Sequence, residues 1–235
     1  MSSTVCIIPA RGGSKRIPRK NVLPLAGTPL LAYTIRAAKD AGVFDHIVVS
    51  TEDSEIAALA AAEGVAVDDR PEHMSGDKVR KVEVVDEYLR RNNGAEKFDN
   101  VAALLPTCPF RSAEDVRKAH QMFVENPDND FLIGVVAYDF PPQLALVEEG
   151  QGMRMMYPDE YAKTTRSQDI RTMYHPNGAI YMATVESFLK VGTFFQENML
   201  TYVMPPERSF DIDYPYQFAI AEGMMKHLFN KEESK

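Results

Sequence analysis

The stretch VCIIPARGGSKRIPRKN, Val5 to Asn21, joins an apolar run directly to a glycine-rich turn. The run Val5–Ile8 carries no charge and predicts a buried β-strand. The turn from Ala10 to Asn21 contains five cations, two adjacent glycines and no acid. In open α/β sheets, ligands bind at the carboxyl ends of strands, where such turns lie. We therefore expect a phosphate-binding site directly after the first strand.

The composition of this turn suits a small polyanion. Gly12 and Gly13 allow backbone N–H groups to approach oxyanions closely. Arg11 offers a planar fork for two phosphate oxygens, and Lys15 offers a point charge. The spacing matches neither the G-x-x-x-x-G-K-[ST] loop nor the G-x-G-x-x-G dinucleotide fingerprint. The alternative interpretation is a solvated basic loop without a ligand.

The bulk properties of the chain limit the classes of function. The 235 residues suffice for one large domain, which we take to be residues 1–235. The formal net charge of −8 argues against non-specific nucleic-acid binding. We expect no secretory signal, and no apolar run approaches the roughly 20 residues that span a bilayer. Two cysteines are too few for a disulfide framework. These features indicate a cytoplasmic protein that binds neither nucleic acid nor membrane.

Apolar runs alternate with amphipathic stretches over the first part of the chain. Buried strands are predicted at VCIIPA, HIVVST, VAV, NVAALL and FLIGVVA, which begin at residues 5, 46, 65, 100 and 131. Thr28 is the expected N-cap of a helix that ends before Gly42. Further helices are expected over Ser54–Gly64, over Lys78–Arg91 and after Ser112. This alternation predicts a three-layer α/β fold with a mostly parallel sheet covered on both faces.

The pattern changes after Tyr138. Residues 143–176 are polar and irregular, with weak strand patterns at LALVEE and RMMY, and we interpret them as an inserted arm. Strand character returns at AIYMAT and TYVMP. A last helix is expected over Tyr216–Phe229.

Two acids stand close together in SFDID, Ser209–Asp213. Asp211 and Asp213 are two positions apart, so on an extended chain both carboxylates face the same side. Paired hard oxygens suit Mg²⁺, which takes one or two carboxylates and completes its shell with water and substrate phosphate. In the alternative interpretation, one aspartate caps the last helix and its neighbour is exposed.

Two further stretches adjoin predicted strands. LLPTCPFR, Leu104–Arg111, is a proline-bracketed loop in which Cys108 has no histidine partner, so a nucleophilic role is not expected. PNGAIY, Pro176–Tyr181, contains an Asn-Gly turn. This turn is either a simple hairpin or a device that places Asn177 against a substrate.

Together these motifs resemble the acylneuraminate cytidylyltransferases, which make CMP-activated sialic acids and related nine-carbon acids. The resemblance covers nearly the whole chain and rests on the order and spacing of six motifs. They are IIPARGGSKRIPRKN (7–21), FDHIVVSTEDSEIA (44–57), RPEHMSGD (70–77), LPTCPFR (105–111), NGAIY (177–181) and DID (211–213).

The resemblance implies a Rossmann-like nucleotidyltransferase fold and a CTP-dependent reaction. In that reaction the anomeric hydroxyl of a nine-carbon 2-keto sugar acid attacks the α-phosphate of CTP, pyrophosphate leaves and a CMP-sugar forms. Similar enzymes use Mg²⁺ and are homodimers. The arm at 143–176 is therefore expected to reach across to a partner subunit.

The resemblance also implies roles for individual residues. The expected catalytic residues are Arg11, Lys20 and Asp211, and the expected metal ligands are Asp211 and Asp213. The expected nucleotide contacts are Ala10, Arg11, Gly12, Gly13, Ser14, Lys15, Asn21, Arg70 and Asp77. The expected sugar contacts are Thr107, Cys108, Arg111, Arg166, Asn177, Tyr181, Phe194 and Phe195. Within this last set, Arg166 is the candidate for the sugar carboxylate, and the two phenylalanines are expected in the pocket of the other protomer.

Some positions depart from the pattern of the sialate enzymes. Leu105 stands where those enzymes commonly have a glutamine that helps to bind the sugar, and His175 stands where they often have arginine. GSKRIPRKN and RSQD (166–169) look more like the pseudaminate branch, which usually lacks NGAIY. The sugar therefore stays open between N-acetylneuraminate, legionaminate, pseudaminate and a related acid. The rival interpretations are an eight-carbon (KDO) or other sugar nucleotidyltransferase on the same fold, and a nucleotide-binding module without turnover.

Overall fold

A computed structural model describes residues 2–163 and 170–232, with the side chains of the last helix described as far as residue 227. The strands are β1 (Thr4–Pro9), β2 (Pro24–Leu25), β3 (Thr28–Pro29), β4 (His46–Thr51), β5 (Ala66–Asp69), β6 (Asn100–Ala103), β7 (Phe131–Ala137), β8 (Leu146–Glu149), β9 (Gly152–Met155), β10 (Tyr174–Thr184) and β11 (Leu200–Val203). The helices are α1 (Leu30–Ala41), α2 (Ser54–Ala62), α3 (Lys81–Arg91), α4 (Gly94–Lys97), α5 (Ala113–Val124), α6 (Pro158–Ala162), α7 (Val185–Val191) and α8 (Pro215–Glu232). Within the described residues, none of these helices combines the length and the apolar character that crossing a membrane requires.

Seven strands form one central sheet in the order β11-β7-β10-β6-β1-β4-β5. β1 pairs in parallel with β4 and β6, so that Val5 lies opposite His46 on one side and Val101 on the other. β5 pairs in parallel with β4, and β11 pairs in parallel with β7. Among the described strands of this sheet, β10 alone runs antiparallel to its neighbours. The prediction of a mostly parallel sheet is therefore confirmed.

Alternate residues of β1 face opposite layers of helices. Cys6 and Ile8 belong to a core cluster with residues of α1, α2 and α5, whereas Val5 and Ile7 belong to a cluster with residues of α3 and α7. All four side chains are fully buried. The uninterrupted apolar character of the strand follows from this burial on both faces, and the predicted three-layer architecture is confirmed.

A third cluster joins the end of the chain to the basic turn. Ile17 from the turn, Ile212 from the DID motif and Met225 from α8 are buried together. This packing brings Lys20 and Ile212 into contact although 192 positions separate them. The basic turn and the acidic DID motif therefore lie side by side.

Several boundaries differ from the predictions. Thr28 pairs with Leu25 in a short two-stranded sheet instead of capping a helix, and α1 begins at Leu30 without a side-chain cap. The helix expected from Lys78 begins at Lys81, because the residues before it form a turn. The helix α7 was not predicted at all, since it follows β10 without an intervening loop.

The inserted arm is smaller than its predicted range. The β8–β9 hairpin and α6 occupy part of it, but β10 begins at Tyr174, so residues 174–176 belong to the sheet. The hairpin presents apolar side chains such as Leu146 and Met153 to the surface. An exposed apolar surface of this kind suits a contact with another protein chain.

A buried carboxylate holds the segment that precedes the DID motif. Asp115 is 1% exposed and accepts hydrogen bonds from Nε and Nη2 of Arg208, at 2.8 and 2.9 Å. It also accepts bonds from the Tyr202 hydroxyl and from Ser112, which is the N-cap of α5 as predicted. Burial acts to raise the pKa of Asp115, but the hydrogen bonds from Arg208 and Ser112 outweigh it and leave the pKa below its usual value.

We expect Arg208→Met to lower the free energy of unfolding near neutral pH by about 1–2 kcal/mol, because it removes two charge-assisted hydrogen bonds from a buried carboxylate. The side chain of Arg208 is 40% exposed, so solvent screening keeps the loss below that of a fully buried pair. A carboxylate with a lowered pKa stabilises the fold above its unfolded pKa of about 4, and this contribution is lost as the pH falls through the lowered value.

Urea unfolding of this variant between about pH 7 and about pH 3 measures both effects. Glu207→Gln, at the exposed neighbouring position, is the control. An Arg208→Met deficit that stays constant over this range would contradict the role of the Asp115 charge.

Candidate active site

A cleft of about 520 Å³ opens where the basic turn leaves β1. Its wall includes Pro9 at the carboxyl end of β1 and Leu105 just beyond β6. Nine residues selected from the sequence line this cleft together: Arg11, Ser14, Lys15, Lys20, Asn21, Arg70, Asp77, Thr107 and Asp213. The fold therefore gathers the basic turn and three other motifs at one edge of the sheet.

The outer cations of the turn share one carboxylate. Arg11 Nη1 lies 3.1 Å from Asp77 Oδ1, and Lys15 pairs with the other oxygen of Asp77. Lys15 and Arg11 together lower the pKa of this carboxyl group. The side chains of Lys15 and Asp77 are 77% and 44% exposed, so a ligand in the cleft can reach them. A triphosphate that binds Arg11 and Lys15 has to displace Asp77 from them.

Arg19 fixes the turn to the rest of the fold. Its guanidinium group pairs with Asp53 and Glu55 at the start of α2, and Asp53 is the N-cap of that helix. Gly12 packs so closely against Asp53 that a Cβ at this position would overlap the carboxylate. The Gly12 N–H donates to Glu52 Oε1 at 2.8 Å. Glycine is therefore required at position 12 for packing, whereas its predicted contact with the nucleotide stays a prediction.

Two of the expected nucleotide contacts are buried at the base of the cleft. Asn21 donates from Nδ2 to the Arg11 carbonyl at 2.9 Å, and Arg70 donates from Nε to Ser50 Oγ at 3.3 Å. Burial lowers the pKa of the Arg70 guanidinium group. The Ala10 N–H donates to the Ser50 carbonyl, which Arg70 also contacts. These bonds hold the backbone that leads into the basic turn.

Lys20 connects the basic turn to the DID motif. Its ammonium group donates to the Ile212 carbonyl at 2.6 Å and to Asp213 Oδ1 at 3.2 Å. Burial lowers the pKa of Lys20, and the charges of Asp213 and Asp211 oppose that shift. Both carboxylates of the motif therefore act on the same ammonium group.

Asp213 lines this end of the cleft, and Asp211, two positions before it, does not belong to the cleft wall. Two carboxylates are donors of a kind that fits Mg²⁺ with a bound nucleotide. Asp213 pairs with Lys20 and with Arg16, whose Nη1 lies 3.1 Å away. Asp211 forms no ion pair within 4 Å among the described residues, and its Oδ1 lies 3.8 Å from the Cys108 sulfur. No cluster of three or more protein ligands occurs within the described ranges. A Mg²⁺ ion here would rely on these aspartates and on phosphate oxygens, as Mg²⁺ sites often do.

A second, smaller pocket of about 180 Å³ adjoins the first, and Leu105 belongs to the walls of both. The pocket is mainly apolar. Tyr181, Phe194 and Phe195 line it, and the two phenylalanine rings lie 5.5 and 6.1 Å from the tyrosine ring, centroid to centroid. The phenylalanines, expected in the pocket of the other protomer, thus line a pocket of their own chain. Arg166, the expected carboxylate ligand, lies outside the described residues.

Three other expected sugar contacts are buried behind these pockets. Arg111 donates from Nη1 to the carbonyls of Leu105 and Ala179, at 3.3 and 2.7 Å, and burial lowers the pKa of its guanidinium group. The Cys108 thiol donates to the Asn177 carbonyl at 3.1 Å. The structure therefore gives Arg111, Cys108 and Asn177 supporting positions behind the pocket walls, where they brace the strand ends.

Two residues that sequence reasoning missed line both pockets. Arg80 and Lys81 stand at the start of α3, and each belongs to the walls of both cavities. The segment KVRK (78–81) directly after RPEHMSGD carries three cations, and this second basic cluster could have been noticed in the sequence. The sequence analysis instead assigns these cations to a helix from Lys78, three residues before α3 begins at Lys81.

The comparisons with known proteins agree with this geometry. The family model described as cytidylyltransferase matches residues 5–227. The chain belongs to the cytidylyltransferase family. It is therefore a nucleotidyltransferase, and the interpretation as a binding module without turnover is set aside.

Several characterised cytidylyltransferases are similar over most of this chain. Pseudaminic acid cytidylyltransferase of Campylobacter jejuni is 34% identical over 94% of this chain and 96% of its own length. N-acylneuraminate cytidylyltransferase of Escherichia coli is 33% identical over 92% of this chain and 51% of its own length. CMP-N,N'-diacetyllegionaminic acid synthase of Legionella pneumophila is 31% identical over 94% of this chain and 96% of its own length.

Solved cytidylyltransferase structures share the fold at much lower identity. A CMP:2-keto-3-deoxy-manno-octonic acid synthetase complexed with CTP is 17% identical, with a TM-score of 0.70 over 96% of this chain and 99% of the other. A 4-diphosphocytidyl-2C-methyl-D-erythritol synthase is 12% identical, with a TM-score of 0.64 over 96% of this chain and 100% of the other. The Rossmann-like nucleotidyltransferase fold expected from the sequence is confirmed.

We expect Asp77→Asn to strengthen the binding of CTP to this cytidylyltransferase by roughly 3- to 10-fold, because the nucleotide no longer competes with a carboxylate for Arg11 and Lys15. Isothermal titration calorimetry with CTP measures the change, and Glu72→Gln in the same loop is the control. Weaker binding to Asp77→Asn would show that this carboxylate contributes directly to nucleotide binding.

Proposed function

We propose that this cytidylyltransferase transfers CMP from CTP to the anomeric hydroxyl of a nine-carbon 2-keto sugar acid and releases pyrophosphate. The observation that carries the proposal is the pair of adjoining cavities. One is lined by the cations of the basic turn and suits a triphosphate. The other is mainly apolar and suits the body of an acylated sugar. Relatives named for pseudaminic, N-acylneuraminic and legionaminic acids support the same acceptor class.

The basic turn performs the charge neutralisation in this proposal. Arg11, Ser14 and Lys15 hold the β- and γ-phosphates at the open end of the cleft. Lys20 lies deeper, beside Asp213, where its ammonium group can stabilise the charge that develops on the α-phosphate. The oxygen of the sugar hydroxyl forms a bond to the α-phosphorus as the bond from the α-phosphorus to the bridging oxygen breaks. Pyrophosphate leaves with that oxygen, and the proton of the hydroxyl is released. Catalysis of this kind depends mainly on positioning and on electrostatic stabilisation.

Mg²⁺ is the proposed cofactor, and Asp211 and Asp213 are its proposed protein ligands. When bound, the ion would neutralise phosphate charge and lower the pKa of the attacking hydroxyl. The contact between Lys20 and Asp213 supports this assignment, because it shows that this end of the cleft already holds opposite charges in close proximity.

The identity of the sugar is the finer part of the proposal. Leu105 lies in the wall between the two pockets, where its apolar side chain cannot replace the hydrogen bonds of a glutamine. This favours an acceptor with fewer polar groups at that point than N-acetylneuraminate. An eight-carbon acid is the alternative acceptor, and the overall fold shared with the octonic acid synthetase is compatible with it.

We also propose that the protein acts as a homodimer in the cytoplasm. The exposed apolar residues of the β8–β9 hairpin, Leu146 and Met153, support a chain–chain contact through the arm. Sedimentation velocity of the wild-type protein distinguishes a dimer from a monomer.

The reaction is tested by pyrophosphate release with CTP, Mg²⁺ and a panel of pseudaminic, legionaminic, N-acetylneuraminic and eight-carbon keto acids. We expect release with one nine-carbon acid and a much lower rate with the eight-carbon acid. Release with the eight-carbon acid alone would show that the acceptor is an eight-carbon acid and not a nine-carbon one. The absence of release in a protein that still binds CTP would refute the proposed transfer.

We expect Asp211→Asn to reduce kcat by about 100-fold or more in saturating Mg²⁺, because it removes a charge that holds the cofactor near the reacting phosphate. The measurement is steady-state pyrophosphate release, with Asp69→Asn on the exposed end of β5 as the control. Turnover near the wild-type rate would rule out Asp211 as a metal ligand.

A further inference from the structure

Lys81 is distinguished from the other cations of the active site by its lack of an acidic partner. The other six cations that line the cleft each lie within 4 Å of a carboxylate: Arg11, Lys15, Arg16, Lys20, Arg70 and Arg80. For Lys81 the described part of the chain provides neither an ion pair nor a hydrogen bond, and the residue is exposed. Its positive charge is therefore available to a ligand without the displacement of an acid.

The position of Lys81 relates it to both halves of the site. Lys81 belongs to the walls of the nucleotide cleft and of the apolar pocket. The neighbouring Arg80 also belongs to both walls, and its Nε donates a hydrogen bond to Glu83 Oε1 at 2.8 Å. Within the described ranges its two terminal nitrogens have no partner, so they can make a second contact. An anion held by these two side chains would lie at the junction of the two cavities.

Lys81 shares the nucleotide cleft with the residues of its reacting end. Lys20 and Asp213 belong to the same wall as Lys81. A ligand in this cleft can therefore meet the charge of Lys81 and the charges of those two residues.

The chemistry of the acceptor requires a cation at this place. In a 2-keto sugar acid, the carboxylate is bonded to the carbon that carries the attacking hydroxyl. When the hydroxyl lies at the α-phosphate and the sugar body lies in the apolar pocket, the carboxylate has to lie between them. An unpaired carboxylate beside a triphosphate would be repelled, so this position needs a positive charge.

We propose that Lys81, assisted by Arg80, binds the carboxylate of the acceptor sugar acid and thereby places the anomeric hydroxyl for attack. The proposal rests on the proposed function, since it names the group of the acceptor that this part of the site recognises. It makes the start of α3 the link between the nucleotide half and the sugar half of the site.

The test compares Lys81→Met with wild type on two acceptors, the sugar acid that wild type uses and the methyl ester of that acid. We expect kcat/KM for the acid to fall roughly 10- to 100-fold in the variant, the effect of losing one charge-assisted hydrogen bond. The KM for CTP is expected to change by less than about 2-fold. Wild type should prefer the acid to the ester, and Lys81→Met should lose most of that preference. Lys81→Arg should restore part of it.

Lys78→Met is the matched control, because Lys78 lies three positions away on the same segment and belongs to neither pocket wall. Equal preference for the acid over the ester in wild type and Lys81→Met would overturn the assignment while leaving the proposed reaction intact. A wild-type protein that binds CTP but releases no pyrophosphate with any of the sugar acids would overturn both together.

Discussion

The five cations within ten residues of the turn after β1 repel one another, and acids from other segments offset this repulsion in the folded chain. The balancing acids come from the start of α2, from the loop before α3 and from the DID motif. Each of these acids therefore fixes its own segment next to the basic turn. The ion pairs of the turn therefore lie between the segments that form the cleft, and the same contacts offset the charge of the turn and bring those segments together.

The depth of these pairs divides them into two kinds. Lys20 and Asp53 are mostly buried, where charge interactions are strong and the loss of a partner is costly. Their pairs hold the turn in place. Asp77 and Lys15 are far more exposed, so water and salt screen their attraction. An incoming polyanion with several charges can replace a single screened carboxylate there. The outer pairs are thus exchangeable, whereas the inner pairs keep the turn in a shape that can receive the ligand.

Local features of the sequence predicted most of the strands and helices of the central fold. Strands such as HIVVST could be predicted because burial on both faces requires a continuous apolar run. Ser112 could be predicted as an N-cap because its bonding partner is only three residues away. The partners of Lys20 and Arg11 were not predictable, since their acids lie 193 and 66 positions along the chain. The bond of Arg111 to the Ala179 carbonyl was not predictable for the same reason, since 68 positions separate the two residues, and its expected contact with the sugar stays a prediction.

The two halves of the site depend on different parts of the fold. The nucleotide half is built on β1 and the basic turn, where a change of charge would disturb the ion pairs that hold the loop. The walls of the apolar pocket come mainly from β6, β10 and the start of α3. Among the described residues, the acids that pair with the basic turn all lie outside this pocket. Side chains in that pocket can therefore change without disturbing the nucleotide cleft. Leu105, Arg80 and Lys81 line both cavities, so a change at one of these three positions would alter the two halves of the site together.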